Sequence, residues 1–524
     1  MEQAKLEIVH QDERIKGKTT RDKVKNTFTE ELFIGICSPI GSMKDEVIAS
    51  LSLILKGVYG YTVEILKLSD YIDEYKLNDY KSIEGKTEEF SQLMYKIDEG
   101  NAIRKKYDNN SVLVELAIRD IYLSRVHEAR KGSEDELPSA EDFTSRRRCY
   151  IFNSIKNKEE LLLLRQIYTD NFYQFSIFSP QYEREQNLRK KNLAPLEIVE
   201  IIDVDEYDNN INGQNVRGTF TEGDFFLRVS DENKDKLNEK IQRYLHLIFE
   251  SSIVTPTPEE TAMYSAKSAS GNSACLSRQV GAAITCEKGN LISTGWNDVP
   301  KFGGNLYREG DIVDFRCNHA GICKNDEQKD ILVESIVKTI LDDSELNAIF
   351  SKDGRADLKK IKSFESKLRN SKIKDLIEFS RSVHAEMHAI ISGSQISGEK
   401  MVNGKLFSTT YPCHNCARHI IVAGIKEVYY IEPYKKSLGI TLHDDAITED
   451  EKSLDKVRIL IFDGVAPRKY LNFFTNFTER KVNGVAVTKD LKNIKPKVAK
   501  SLQALSTLET QAIHSLKECG LLTE

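Results

Sequence analysis

Two short segments, His384-Ala385-Glu386 and Pro412-Cys413-His414-Asn415-Cys416, set the tightest condition on how this chain can fold. Zinc favours imidazole and thiolate donors, and three protein ligands on a tetrahedral ion leave a fourth corner for water. Cys413 and Cys416 are three positions apart at the head of a helical stretch, CHNCARHIIVAG, so both thiolates can face one ion. His384 opens another helical stretch, VHAEMHAIISG, so the two helix starts must meet. Glu386 then falls close to the ion without being required as a ligand. Zinc acidifies water in the open corner, and a nearby carboxylate can carry the proton elsewhere. A structural clip would close with a fourth His or Cys, and the two segments supply only three donors.

The flanking text alternates strands and helices. From about Pro256 it reads helix TAMYSAKSAS, strand QVGAAITC, turn EKGN and strand LISTGWN. A long charged insertion, 301–381, precedes the His384 helix, and strands KLFSTT and EVYYIEP bracket the Cys413 helix. Residues 256–480 are thus expected as one α/β/α domain, with 481–524 a helical C-terminal extension.

Upstream, residues 1–29 form a polar N-terminal arm. LFIGI (Leu32 to Ile36) is a buried-strand run, followed by the turn CSPIGS and the helix MKDEVIASLSLILKGV. Further strands are expected at Tyr61 to Leu68, Cys149 to Ile155 and Phe172 to Phe178, with helices over Ser111 to Arg130 and NKEELLLLRQIY. That alternation predicts a doubly wound parallel sheet over residues 30–185. Residues 186–255, broken by DNNINGQN, read as a connector carrying one helix, KDKLNEKIQRYLHLIFESS.

The chain has 524 residues, too many for one ordinary domain, and 40% are hydrophobic, enough for large cores. Charged residues make up 30% yet nearly cancel to a net −6, which argues against binding long nucleic acids through many phosphates. A local basic pocket for one nucleotide remains compatible with that balance. The opening MEQAKLEIVHQDERIKGKTTRDK lacks a signal-peptide core, and no apolar run reaches membrane-span length. Nine unevenly placed cysteines read as thiols and metal ligands, and a cytoplasmic chain with no membrane partner is expected.

GICSPIGSMKD (Gly35 to Asp45) lies between a strand and a helix, like a phosphate-binding loop. Gly41 and Ser42 sit in the turn and Lys44 is placed for phosphates, but Met43 adds bulk and Asp45 adds repulsion. Phosphoryl transfer is not expected. ATP or another nucleotide as ligand stands beside a scaffold used for assembly or regulation.

The arrangement H-x-E…P-C-x-x-C matches the zinc nucleobase-deaminase signature. SRQVGAAITCEKGNLISTGWNDVP, VHAEMHAI and TTYPCHNCARHIIVAGIKEVYYIEPY together resemble the deoxycytidylate (dCMP) deaminase family, over roughly Pro256 to Tyr434. The resemblance implies that His384, Cys413 and Cys416 bind zinc, that Glu386 shuttles protons, and that Asn297 contacts the deoxyribose. Arg278 and Gln279 match the family's R-Q-V-G strand start, with strand-end packing and salt bridging as the alternative. His388 stands where the family usually has asparagine, so it either adjusts the sugar or base pocket or is a satisfied buried histidine. Some deoxycytidylate deaminases carry a second metal, and Cys317, His319 and Cys323, with His388 as a candidate fourth ligand, are either such a structural zinc site or free loop side chains. Lys435 and Lys436 are basic candidates near the site.

The first domain is similar to P-loop nucleotide kinase folds. Joined to the second, it resembles the bacterial anti-phage dCTP deaminase family. The expected fold is therefore α/β throughout, a P-loop kinase-like parallel sheet plus a cytidine-deaminase-like α/β/α domain. The expected activity is zinc-dependent deamination of free dCTP or dCMP to the deoxyuridine nucleotide and ammonia, draining the pool that viral DNA synthesis needs. A homo-oligomer is implied. The alternatives are a housekeeping dCMP deaminase and a protein that senses a regulatory nucleotide or RNA, with deamination as output. Editing of polynucleotides would call for a basic groove with stacking aromatics, and the net charge and single tryptophan weigh against it.

Overall fold

The computed structural model describes residues 19–130, 138–206, 212–352, 355–433, 437–475, 480–483, 485–486 and 489–522. The chain divides into two compact units, residues 1–255 with 463–524, and residues 256–462.

In the first unit the uninterrupted apolar run forms β1 (Leu32–Cys37), buried along its whole length as a central parallel strand must be. It is followed by α1 (Lys44–Gly57), β2 (Thr62–Lys67), α2 (Val112–Ala129), β3 (Arg148–Asn153), α3 (Lys158–Tyr168) and β4 (Phe172–Phe178). Then come α4 (Gln181–Arg189), α5 (Pro195–Glu206), β5 (Phe225–Arg228) and α6 (Leu237–Phe249). These strands lie side by side in the order β2-β3-β1-β4-β5, all parallel. Alternate side chains of β1 serve opposite cores. Leu32, Ile34 and Ile36 pack with Val47 and Leu51 of α1 and Ile241 and Leu245 of α6. Phe33 packs with Leu113 and Leu116 of α2 and Leu161 and Leu164 of α3.

The stretch 186–255 is more than the expected connector, because its four residues Phe225–Arg228 complete the sheet beside β4. So short an apolar run, set among charged residues, has no period of its own. The chain goes from β1 to one side of the sheet, then crosses after β3 to the other. The carboxyl end of β1 therefore faces a switch point, where open α/β sheets leave a crevice.

The second unit begins with α7 (Pro258–Ser270) and the hairpin β6 (Gly281–Thr285) and β7 (Leu291–Trp296). The described part of the charged insertion carries helices. Its helices α8 (Lys324–Asp342) and α9 (Leu358–Arg369) meet through Val333, Val337 and Ile361, while Arg369 reaches Asp326 and Asp330. Next are α10 (Ala385–Ser397), β8 (Lys405–Thr410), α11 (His414–Val422), β9 (Glu427–Glu432), β10 (Ile447–Thr448) and β11 (Val457–Ile461). The sheet order is β7-β6-β8-β9-β11-β10, antiparallel from β7 to β8 and parallel from β8 to β10.

One glycine fixes how α10 meets this sheet. A Cβ on Gly295 of β7 would lie 2.4 Å from both the Ala385 carbonyl oxygen and the Ala389 nitrogen, so only glycine lets the helix backbone settle there.

The chain then returns to the first unit, so residues 463–480 do not stay with the second unit and 481–524 is not a free extension. β12 (Gly464–Val465) pairs antiparallel with β5, and α12 (Leu502–Glu518) lays Leu505, Ala512 and Leu516 into the core shared with α2. Charge reinforces the docking. Arg125 of α2 is 3% exposed, and its guanidinium donates to both Glu509 oxygens at 3.1 and 3.0 Å while also facing Glu31. A guanidinium buried to that extent needs such carboxylates, and here one comes from the far end of the chain. Among the described residues no helix is long and apolar enough to cross a membrane.

Candidate metal centre

His384 occupies the N-cap of α10 and Cys413 the N-cap of α11, with Cys416 in the first turn of α11. Both helices thus point their N-terminal ends at one place, a setting that favours thiolate over thiol. His384 Nδ1 lies 3.3 Å from the Sγ of Cys413 and 3.3 Å from the Sγ of Cys416. The three donor atoms all fall within 4.8 Å of one another, the only such group among the described residues. Zinc–sulfur and zinc–nitrogen bonds place tetrahedral donors about 3.6 Å apart, so the trio fits a zinc ion at its centre.

The charges agree with that fit. A hydrogen bond with Cys416, together with the His384 imidazole, pulls the Cys413 thiol down to about 4 against the effect of burial. Burial opposes a charge on His384, yet the hydrogen bond and charge of Cys413, helped by Glu386, push its imidazole up to about 9. Such mutual stabilisation of imidazolium and thiolate is what a bound cation takes over as it displaces the protons.

Glu386 is buried at the edge of the trio. Its Oε2 accepts from Cys416 Sγ at 3.4 Å and its Oε1 from the Ser408 hydroxyl at 3.4 Å. Burial, then the Cys413 charge, raises its carboxyl above the usual carboxylate range. Ser408, in β8 just before the Pro412-Cys413 turn, escaped the sequence reading, and its place in a strand running into that turn was the available signal. His414, between the two thiols, carries a second such contact through Nε2 to Glu378 Oε1 at 3.3 Å.

The remaining sequence candidates fall into different places. Asn297 Oδ1 accepts from the Val280 amide at 2.7 Å and its Nδ2 donates to the Arg278 carbonyl at 2.8 Å, so its amide shapes the entry to β6. Gln279 donates to the Ser273 carbonyl at 2.8 Å, and the half-exposed Arg278 guanidinium pairs with Glu432 at 3.3 Å. His388 is buried. Its Nδ1 accepts from the Trp296 amide at 3.2 Å and its Nε2 lies 3.1 Å from Asn305 Oδ1, which makes it a satisfied histidine clamping the loop after β7.

Cys317, His319 and Cys323 do not converge. His319 Nε2 is 3.0 Å from Asp314, and Cys323 Sγ is 3.8 Å from the Ser277 hydroxyl. In the first unit Lys44 Nζ donates to Asn153 Oδ1 and Ser154 Oγ, each at 2.7 Å, and Gly41 and Ser42 lie in the turn ahead of it. Lys435 and Lys436 lie outside the described residues.

Residues 256–432 match the family described as cytidine and deoxycytidylate deaminase zinc-binding region. ComE operon protein 2 of Bacillus subtilis (strain 168) is 34% identical over 116 residues, 22% of this chain and 59% of that protein, so the chain spans less than two thirds of this relative. The deoxycytidylate deaminase of Enterobacteria phage T2 is 29% identical over 169 residues, 32% of this chain and 76% of that protein. The crystal structure of dCMP deaminase from the cyanophage S-TIM5 in apo form covers 40% of this chain and 100% of its own, at 20% identity and a TM-score of 0.22. Residues 256–432 are thus similar to the cytidine and deoxycytidylate deaminase zinc-binding region, and the trio of donors lies within the matched stretch.

Proposed function

We propose that the second unit hydrolyses the exocyclic amine of free deoxycytidine nucleotides, dCTP or dCMP, giving the deoxyuridine nucleotide and ammonia. The observation that carries this reading is a buried carboxylate, Glu386, beside three converging donors that leave one tetrahedral corner to water. Zinc held by His384, Cys413 and Cys416 would supply a Lewis acid that acidifies a water molecule.

The chain's own residues do the rest. Glu386 takes a proton from the attacking water as its oxygen bonds to C4, and passes that proton to ring N3. It then takes the second proton from the new C4 hydroxyl and gives it to the amine, the C4–N bond breaks and ammonia leaves. A carboxyl whose affinity for protons is raised by burial suits this double duty better than an ordinary exposed one. The match to deoxycytidylate deaminases supports the base and sugar. Depletion of deoxycytidine nucleotides during phage infection is the biological role we attach to it.

Purified full-length protein incubated with dCMP, dCTP, CTP and single-stranded DNA, with and without ATP or dTTP, tests the reading by ammonia release and uracil product. Release from dCMP or dCTP and none from DNA is expected. Release from DNA alone, or from none of the four, overturns it.

A further inference from the structure

The loop between β1 and α1 combines cations and buried polar groups that the deaminase reading leaves unused. The Ile40 amide donates to Asp205 Oδ2 at 2.7 Å, and Lys156 Nζ donates to Asp205 Oδ1 at 2.7 Å and to the Ser38 carbonyl at 2.9 Å. Asp205, from the last turn of α5, is 2% exposed. Among the described residues Lys44 has only neutral oxygens as hydrogen-bond partners, and burial, with Lys156 nearby, drives its ammonium down to about 8. Arg184, 3% exposed, donates through Nε to the Ile40 carbonyl at 2.9 Å and through Nη1 to Glu206 at 3.1 Å, while its buried Nη2 has no partner among the described residues. The Ser42 hydroxyl in the same loop is also buried without a partner among the described residues.

Three cationic side chains, a free guanidinium N–H and a loop amide thus gather at the carboxyl end of the central strand, where crevices for anionic ligands form. The anion actually present there is a carboxylate of the same chain. We infer that this loop is a polyphosphate-binding site filled by Asp205, which bridges the Ile40 amide and the Lys156 ammonium in the place a phosphate group would take. An ionised carboxylate and a phosphate compete for the same charge-assisted donors, so a phosphate chain enters only as the Asp205 charge withdraws. Other loop amides are also held internally, with Met43 donating to the Ser179 hydroxyl at 3.1 Å and Ser42 to the Pro39 carbonyl at 3.2 Å. These groups belong to the first unit, so the inference is independent of the deaminase reading.

Asp205→Asn removes the charge while keeping the volume. Titrating tripolyphosphate into full-length protein, we expect D205N to bind at least about tenfold more tightly than the unaltered chain, the scale of one charge-assisted contact, and K156M added to D205N to erase the gain. ATP titrated in parallel separates the sources. A matching gain assigns the site to a nucleotide's phosphates and no gain to free polyphosphate, and either keeps the site. Equal tripolyphosphate affinity in D205N and the unaltered chain overturns the inference. If D205N fails to fold in simple buffer, tripolyphosphate must restore its melting transition where sodium chloride of equal ionic strength does not, and a failure to restore it overturns the inference as well.

Discussion

Two strand-to-helix turns in this chain look alike on paper and differ in what their polar groups meet. One joins β1 to α1 and ends at Lys44; the other follows β8 and opens α11 at Cys413. In the first, most donors are answered by the same chain: Asp205 takes the Ile40 amide, Ser179 takes Met43, and Asn153 and Ser154 take Lys44, while the Ser42 hydroxyl and Arg184 Nη2 find no partner among the described residues. In the second, His384, Cys413 and Cys416 are aimed at one another. Three good ligands held within reach of a common point are a poor way to stabilise a fold and a good way to hold an ion. A chemically suggestive turn is therefore judged by whether the protein has already answered it.

The largest effect should come from removing a donor. H384A or C416A should lose zinc, lower the melting transition of the second unit and reduce ammonia release to background, as read by metal analysis and calorimetry. A chelator acting on the unaltered chain should do the same and leave the first unit's transition in place. If both transitions fall together, the contrast between the two turns breaks. E386Q should keep its zinc and lose about 10²- to 10⁴-fold in rate, the usual worth of a positioned acid–base group. Substantial residual activity in that variant would remove Glu386 from the role proposed for it.

A backbone effect comes next. G295A forces a methyl into the α10 backbone that carries His384 and Glu386, so thermal denaturation should show a loss of about 1–3 kcal/mol in the second unit, accompanied by lower activity. Unchanged stability would show that the helix is free to shift.

The meeting of His384, Cys413 and Cys416 was legible because helix geometry fixes what three-residue and two-residue spacings can reach, whatever the rest of the fold does. Strands such as Phe172–Phe178 were legible for a similar reason, as long apolar runs bounded by polar text. Asp205 was not, since 165 positions separate it from the Ile40 amide and nothing local in LEIVEIIDVDE distinguishes one acid from another. The return of residues 463–524 was hidden because β12 is two residues long and its register depends on β5. Cys317, His319 and Cys323 show the opposite failure: ligand-like spacing in a loop does not ensure that the tertiary fold brings the atoms together. His388 shared a helix face with His384, but only the placement of Trp296 and Asn305 decides what its two nitrogens do.

The smallest effect belongs to the turn that is already answered. Lys44 sits below the ordinary lysine value, at about 8, because of burial and Lys156. Between that value and the ordinary one the unfolded chain keeps a proton that the folded chain has released. First-unit stability therefore climbs as pH rises through the window. Thermal scans between about pH 7 and 10 should show the climb, and K44M should flatten it. A flat profile in the unaltered chain would mean that the lysine is better solvated than its surroundings indicate.

X-ray absorption at the zinc edge of the purified full-length protein reads the donors around the ion one shell at a time. We expect two sulfur neighbours at about 2.3 Å and two lighter ones at about 2.0–2.1 Å, one of them imidazole and the other exchangeable water. A shell of three or four sulfurs, a second imidazole in place of water, or a protein purified without zinc and unable to bind it would contradict a zinc held by His384, Cys413 and Cys416.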